Sequence, residues 1–409
     1  MNIIDARLQR KLEILADAAK YDASCASSGA QGRNSRDGKG LGSTTGAGIC
    51  HAYTPDGRCV SLLKILLTNH CVYDCAYCVN RVSGNGARAR FTVEEVVKLT
   101  VGFYRRNMIE GLFLSSGIIR DEDYTMEEIA RVARELRLTH GFRGYIHLKA
   151  IAGADSRLVE EAGRWADRLS INTELVADAS LQRLAPEKDA GVIRRAMADV
   201  RLKLDAAKPD KGKAKPPRFA PAGQSTQIIV GADDTSDREI VARGANLYSS
   251  YALRRVYYSA FSPIPQPAAA LPLKPAPLMR EHRLYQADWL LRYYGFAPDE
   301  IFEDGPAMLD LKIDPKRAWA LRHPQLFPLD VNRAPRELLL RVPGLGVRVV
   351  DKLIAARRQG ALRLADVGRL TRRISSVRPF LVTPDWTPRG RESPDALRPA
   401  APRQLDLFG

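Results

Sequence analysis

Three cysteines, Cys71, Cys75 and Cys78, stand within eight residues of one another, directly after the apolar stretch Val60 to Leu67. They occupy the run Thr68-Asn69-His70-Cys-Val-Tyr-Asp-Cys-Ala-Tyr-Cys, a C-x3-C-x2-C spacing with Tyr77 before the last thiol. Three thiolates can hold three irons of a four-iron–four-sulfur (4Fe-4S) cluster and leave the fourth iron open to a substrate or cofactor. A closed structural zinc site wants a fourth ligand, for which His70 is the nearest candidate. The bland alternatives are a zinc knuckle or buried free cysteines.

From Val60 onward the pattern alternates between short β-rich runs and helical ones. Strands are expected at Ser61–Leu67, Gly111–Leu114, Tyr145–Ala150, Arg168–Asn172, Thr226–Val230 and Arg255–Ser259. Helices are expected at Thr92–Arg106, Met126–Thr139, Ser156–Trp165, Gly191–Ala206 and Ser236–Ser249, after an amphipathic helix over 2–20. Such alternation implies βαβ units and a parallel sheet. The Gly/Ser-rich Ser24 to Gly48 and the basic, Pro-rich Lys208 to Pro221 read as loops, with a second Pro-rich excursion from Ser262 to Pro277.

The cysteine spacing resembles that of the radical S-adenosylmethionine (SAM) enzymes. That resemblance implies an α/β fold, a partial (β/α)6 TIM-like barrel, with the cysteine loop at the C-terminal ends of the strands. It also implies a 4Fe-4S cluster, SAM chelated at the open iron, and reductive cleavage of SAM to a 5′-deoxyadenosyl radical. Ser115, Ser116 and Gly117 correspond to the turn that holds the methionyl amine, although the family's usual Gly-Gly-Glu is absent. Ser170, Asn172 and Glu174 fit the ribose contacts, and Gln227 to Gly231 resembles the segment that packs on adenine.

Cys25, Cys50 and Cys59 lie outside the first triplet. They read either as small buried apolar residues or, together with His51, as ligands of a second iron–sulfur cluster.

From Pro315 to Arg403 there are 19 Lys and Arg against 7 Asp and Glu, out of a net charge of +16 for the 409-residue chain. A basic C-terminal region is the electrostatic footprint of a nucleic-acid binder. Within it, Pro335 opens one short helix, Pro343-Gly344-Leu345-Gly346 makes a hairpin, and Val347 to Arg358 forms a second helix, with Arg348 in its first turn. This all-α arrangement resembles the helix-hairpin-helix of DNA repair proteins. Amide groups at such a helix start can bind phosphate. The segment from Leu364 and Phe380 fit a doubled version. The chain ends Gln404-Leu405-Asp406-Leu407-Phe408-Gly409, similar to the pentapeptide by which bacterial repair proteins dock on the sliding clamp.

Taken together, Ala19 to Gly29, Gly48 to Arg81, Ala222 to Gly231 and the helix-hairpin-helix resemble the DNA modification/repair radical SAM proteins. The resemblance implies DNA as partner, association with a uracil-DNA-glycosylase-like protein, and a flavodoxin or ferredoxin as electron donor. A radical SAM enzyme acting on DNA is the leading expectation; an RNA-modifying enzyme and a non-catalytic iron–sulfur DNA-binding protein are the alternatives. The expected domains are residues 1–59 (N-terminal segment), 60–279 (barrel), 280–325 (helical connector), 326–383 (helix-hairpin-helix) and 384–409 (disordered tail). Met1 to Leu15 lacks a secretion signal's apolar core, and no apolar run reaches the ~20 residues of a membrane span. The cysteines do not form a secreted disulfide framework, so a cytoplasmic, nucleoid-associated protein is expected.

Overall fold

The computed structural model describes residues 5–19, 49–53, 59–209, 218–264 and 268–389. The chain divides into two compact units, one of residues 1–235 and 246–277, the other of residues 236–245 and 278–409. The expected connector and the helix-hairpin-helix region therefore fall in one unit.

The first unit opens with α1 (Ala6–Ala18), capped by the Asp5 carboxylate accepting from Leu8 N–H. Among the described residues its sheet has seven strands: β1 (Ile49–Tyr53), β2 (Cys59–Leu66), β3 (Gly111–Ser115), β4 (Tyr145–Lys149), β5 (Arg168–Ser170), β6 (Gln224–Val230) and β7 (Arg255–Ala260). They lie side by side in chain order, β1 antiparallel to β2 and every later pair parallel. The crossovers carry α2 (Val93–Arg105), α3 (Glu122–Leu138), α4 (Ser156–Trp165), α5 (Asp178–Leu184) with α6 (Ala190–Ala206), and α7 (Asp237–Tyr251). Parallel crossovers share one hand. Strands added always on the same side therefore keep all their helices on one face, and the twisted sheet curls into part of a barrel. This is the expected six-strand α/β architecture.

Local chemistry explains where the helices begin. Thr92 and Glu95 form a capping box for α2, and Asp121, Asp155 and Asp189 cap α3, α4 and α6 through their carboxylates. The two sheet faces are chemically distinct. Leu63, Ile65, Leu112, Leu114, Ile146, Leu148, Ile228 and Val230 share one face and are buried. The opposite face carries Lys64, Phe113 and His147, then Leu66 and Ser115, then Lys149, Ser170 and Ser225, each matched across the parallel ladders. None of the residues of β2 to β7 is Asp or Glu.

The second unit is mainly helical. It includes α8 (Leu278–Tyr294), α9 (Pro298–Phe302), α10 (Pro315–Arg322), α11 (Arg336–Leu339), α12 (Val347–Ala356), α13 (Leu364–Leu370) and α14 (Ile374–Val377). Two-residue strands β8 (Leu329–Asp330) and β9 (Leu381–Val382) pair in parallel and tie the start of its helical hairpin region to its end. The fully buried Asp237 accepts from Arg280 Nε at 2.7 Å and from Leu309 N–H at 2.9 Å, fixing the start of α7 to α8. Among the described residues no helix is long and apolar enough to cross a membrane.

Candidate active site

The cysteine loop leaves β2 and is held by its own neighbourhood. Arg88 donates to the carbonyls of Asn69, Asn80, Arg81 and Gly84, knitting the loop into one body. Asn69 pairs with Ala87 and Ala89, and Arg81 donates to Ala76 O at 3.2 Å. Sequence reasoning passed over Arg88; a basic residue closing a ligand loop ten positions after the last cysteine was the available signal.

Two other elements brace the loop. From the end of β3, Gly117 N–H donates to Thr68 O at 2.9 Å and Val72 N–H to Ile118 O at 2.9 Å. From α5, Ala76 N–H donates to Leu184 O at 2.7 Å, and Asp74 N–H to the Glu187 carboxylate at 2.8 Å. The sequence did not predict α5, a seven-residue helix too short for helical periodicity to stand out.

Cys71, Cys75 and Cys78 are free thiols that line one cavity of about 480 Å3. Burial pushes the Cys75 thiol up to about 12 and the Cys78 thiol up to about 11. A metal that binds these thiols must therefore displace their protons, which are released to solvent as the thiolates form. Ile118 N–H approaches Cys71 Sγ at 3.4 Å and Asn80 N–H approaches Cys78 Sγ at 3.4 Å, donors that favour a charged sulfur. Among the described residues no three His, Cys, Asp or Glu side chains gather where a single ion could sit. A cluster, in contrast, takes each thiolate on a different iron.

The remaining cavity wall comes from strand ends. It includes Ser115, Ser116, Gly117, Asn172, Glu174, Gln227 and Ile229, so most of the expected SAM residues converge on the cysteines. Ser170 is not part of that wall: its hydroxyl meets His147 Nε2 at 3.0 Å, and burial holds His147 well below the ordinary range, hence neutral. Glu174 adopts a left-handed backbone (φ 60°) and pairs with Lys188 at 2.6 Å. Burial opposes the Lys188 charge, but the Glu174 carboxylate holds its pKa well above the usual value. The Tyr77 hydroxyl and Asn172 Oδ1 are buried in this wall without a hydrogen-bond partner among the described residues. A buried orphan costs about 1–3 kcal/mol, so two in one wall point to a polar ligand. Tyr73 donates to Glu122, and burial followed by that carboxylate raises its pKa.

In the second unit, α11, the turn at Pro343 to Gly346 and α12 follow one another where two short helices and a turn were expected. Gly344 has φ +86°, and a Cβ there would lie 2.9 Å from the Val377 side chain. Gly346, the residue before α12, faces the Tyr294 hydroxyl, which accepts from Val347 N–H. Lys316, buried beneath the turn, donates to Leu345 O at 2.6 Å. Both glycines are thus approached by side chains of the same unit. Arg348 is exposed on α12.

β1 and β2 carry Cys50 and Cys59, in register with Leu62 and Tyr53. Their side chains, together with Cys25 and the clamp-like Gln404 to Phe408, lie outside the described residues.

No protein-family model matches the sequence, and no curated protein does. Among solved structures the chain is similar to the FeFe-hydrogenase maturase HydG from Carboxydothermus hydrogenoformans, at 15% identity over 55% of this chain and 50% of that one, TM-score 0.41. A second HydG structure gives 14% identity over 55% and 48%, TM-score 0.41. A radical SAM methyltransferase from Sphaerobacter thermophilus gives 17% over 58% and 68%, TM-score 0.38. The chain spans about half the length of the maturases. The likeness is partial and remote.

Proposed function

We propose that the chain is a radical SAM iron–sulfur enzyme that modifies or repairs DNA. The observation that carries the first half is the convergence of Cys71, Cys75 and Cys78 with the polar strand ends on one cavity. The residues fit the group: Cys71, Cys75 and Cys78 would hold a 4Fe-4S cluster, and the orphaned Tyr77 hydroxyl and Asn172 Oδ1 await a polar ligand. SAM would lie against Ser115, Ser116, Asn172 and Glu174. Bound there and reduced by one electron, such a cluster would supply the electron for cleaving SAM to methionine and a 5′-deoxyadenosyl radical. The protein's part is to bind, orient and exclude water. Glu174 accepts hydroxyl hydrogen bonds, Ile229 and Tyr77 supply apolar surface, and the β3 brace keeps Cys71 in place.

The DNA half rests on the basic C-terminal unit and its helical hairpin with Gly344 in the left-handed region. Exposed Arg348 and neighbouring cations suit phosphate contact, which is salt-sensitive and independent of sequence. A uracil-DNA-glycosylase-like protein, a sliding clamp docked on Gln404 to Phe408, and a flavodoxin- or ferredoxin-class donor complete the proposal.

The test is anaerobic incubation of the reconstituted full chain with SAM, dithionite and either duplex DNA or tRNA, followed by mass analysis. Methionine and 5′-deoxyadenosine together with altered DNA would support it. Release of these products with tRNA alone modified would move the substrate to RNA, and no SAM cleavage by a fully loaded cluster would end the enzyme reading.

A further inference from the structure

The connection between β5 and α6 does more than cross over. Helix α5 is strapped to the cysteine loop by Ala76 N–H to Leu184 O, and the turn after it by Asp74 N–H to Glu187. Lys188 follows directly, with its own N–H on Ala185 O at 2.9 Å. Its ammonium lies 5.8 Å from the centre of the Tyr77 ring, between Cys75 and Cys78 in sequence, and lines the same cavity as all three cysteines. Glu174 holds it there at 2.6 Å.

We propose that Lys188 is a positioning residue for charge: held by Glu174, it is a cation that stabilises the reduced cluster and raises its reduction potential. This rests on the cluster assignment above. Accepting one electron from a low-potential one-electron donor makes a thiolate-bound cluster one unit more negative, with no bond made or broken. Net charge and nearby donors are what set such potentials. A fixed cation in a half-buried wall favours the more negative state because the local dielectric is well below that of water. Glu174 partly offsets that cation.

The experiment uses the full chain, anaerobically reconstituted, with cluster redox titration followed by absorbance and electron paramagnetic resonance. Iron and sulfide per chain are measured first. Lys188→Gln should keep the cluster but show about a tenfold smaller reduced-to-oxidised ratio at a fixed solution potential, equivalent to about 59 mV for one electron. Lys188→Arg should restore the native ratio, and Glu174→Gln should increase it. An unchanged ratio in Lys188→Gln at full iron content overturns the proposal. Should Lys188→Gln lose iron, Glu174→Gln decides: an increase supports the proposal and no change overturns it. Native protein that holds no cluster would instead refute the cluster assignment on which both rest.

Discussion

Gly117 packs so closely on His70 that a Cβ built on the glycine would lie 2.5 Å from the His70 carbonyl oxygen and 3.2 Å from Cys71 Cβ. The residue expected to cradle SAM is therefore also the point where the end of β3 clasps the cysteine loop. Overpacking such a contact costs about 1–3 kcal/mol. Gly117→Ala should displace Cys71 and lower iron retained per chain after reconstitution, while the far-ultraviolet circular dichroism stays native. Full iron retention would show that the loop has slack.

Replacing any one of Cys71, Cys75 or Cys78 with Ala should remove the SAM-responsive electron paramagnetic resonance signal. Retention of SAM cleavage by such a variant would contradict the assignment.

Tyr77→Phe separates two effects. Removing the orphaned hydroxyl should stabilise the cluster-free protein by about 1 kcal/mol. The same change should weaken SAM binding to the loaded protein about fivefold, the worth of one hydrogen bond. Equal affinity by calorimetry would mean that the hydroxyl does not meet the cofactor.

The buried Lys316 gives a pH signature. Burial lowers its pKa from 10.5 to about 7, so the unfolded chain binds the extra proton between those values. Stability from this group rises with pH across that window. The melting temperature of Lys316→Met minus that of the native chain should therefore fall as pH goes from about 7 towards 10. A difference independent of pH would mean the ammonium is stabilised where it sits by Leu345 O and the Tyr294 ring, which lies 4.6 Å away.

If the hairpin grips phosphates, Arg348→Ala should weaken binding of the full chain to any duplex alike and reduce the slope of log affinity against log salt by about one. A sequence-dependent loss would point to base contact.

The parallel strands were legible because each is an apolar or β-branched run between helical stretches with polar caps, as at Thr92 and Asp121. The cysteines, Asn172 and Glu174 were legible because ligand and strand-end chemistry is local in sequence. Lys188 and Arg88 were not, since their roles arise from contacts made across turns that leave no periodic trace. The packing of Val377 on Gly344 was hidden for the same reason: a glycine turn announces close approach without naming what approaches.

Each barrel strand from β2 to β7 pairs with the next one in the chain. Each strand can therefore join the one made just before it, and during synthesis the N-terminal units emerge first. The cavity, in contrast, is lined from Ala18 to Ser262. A ribosome making this protein therefore presents the three thiols and their β3 clasp well before Ile229, Phe261 and Ser262 exist to enclose them. The thiols are made well before the far wall of their cavity, and the pocket is finished last.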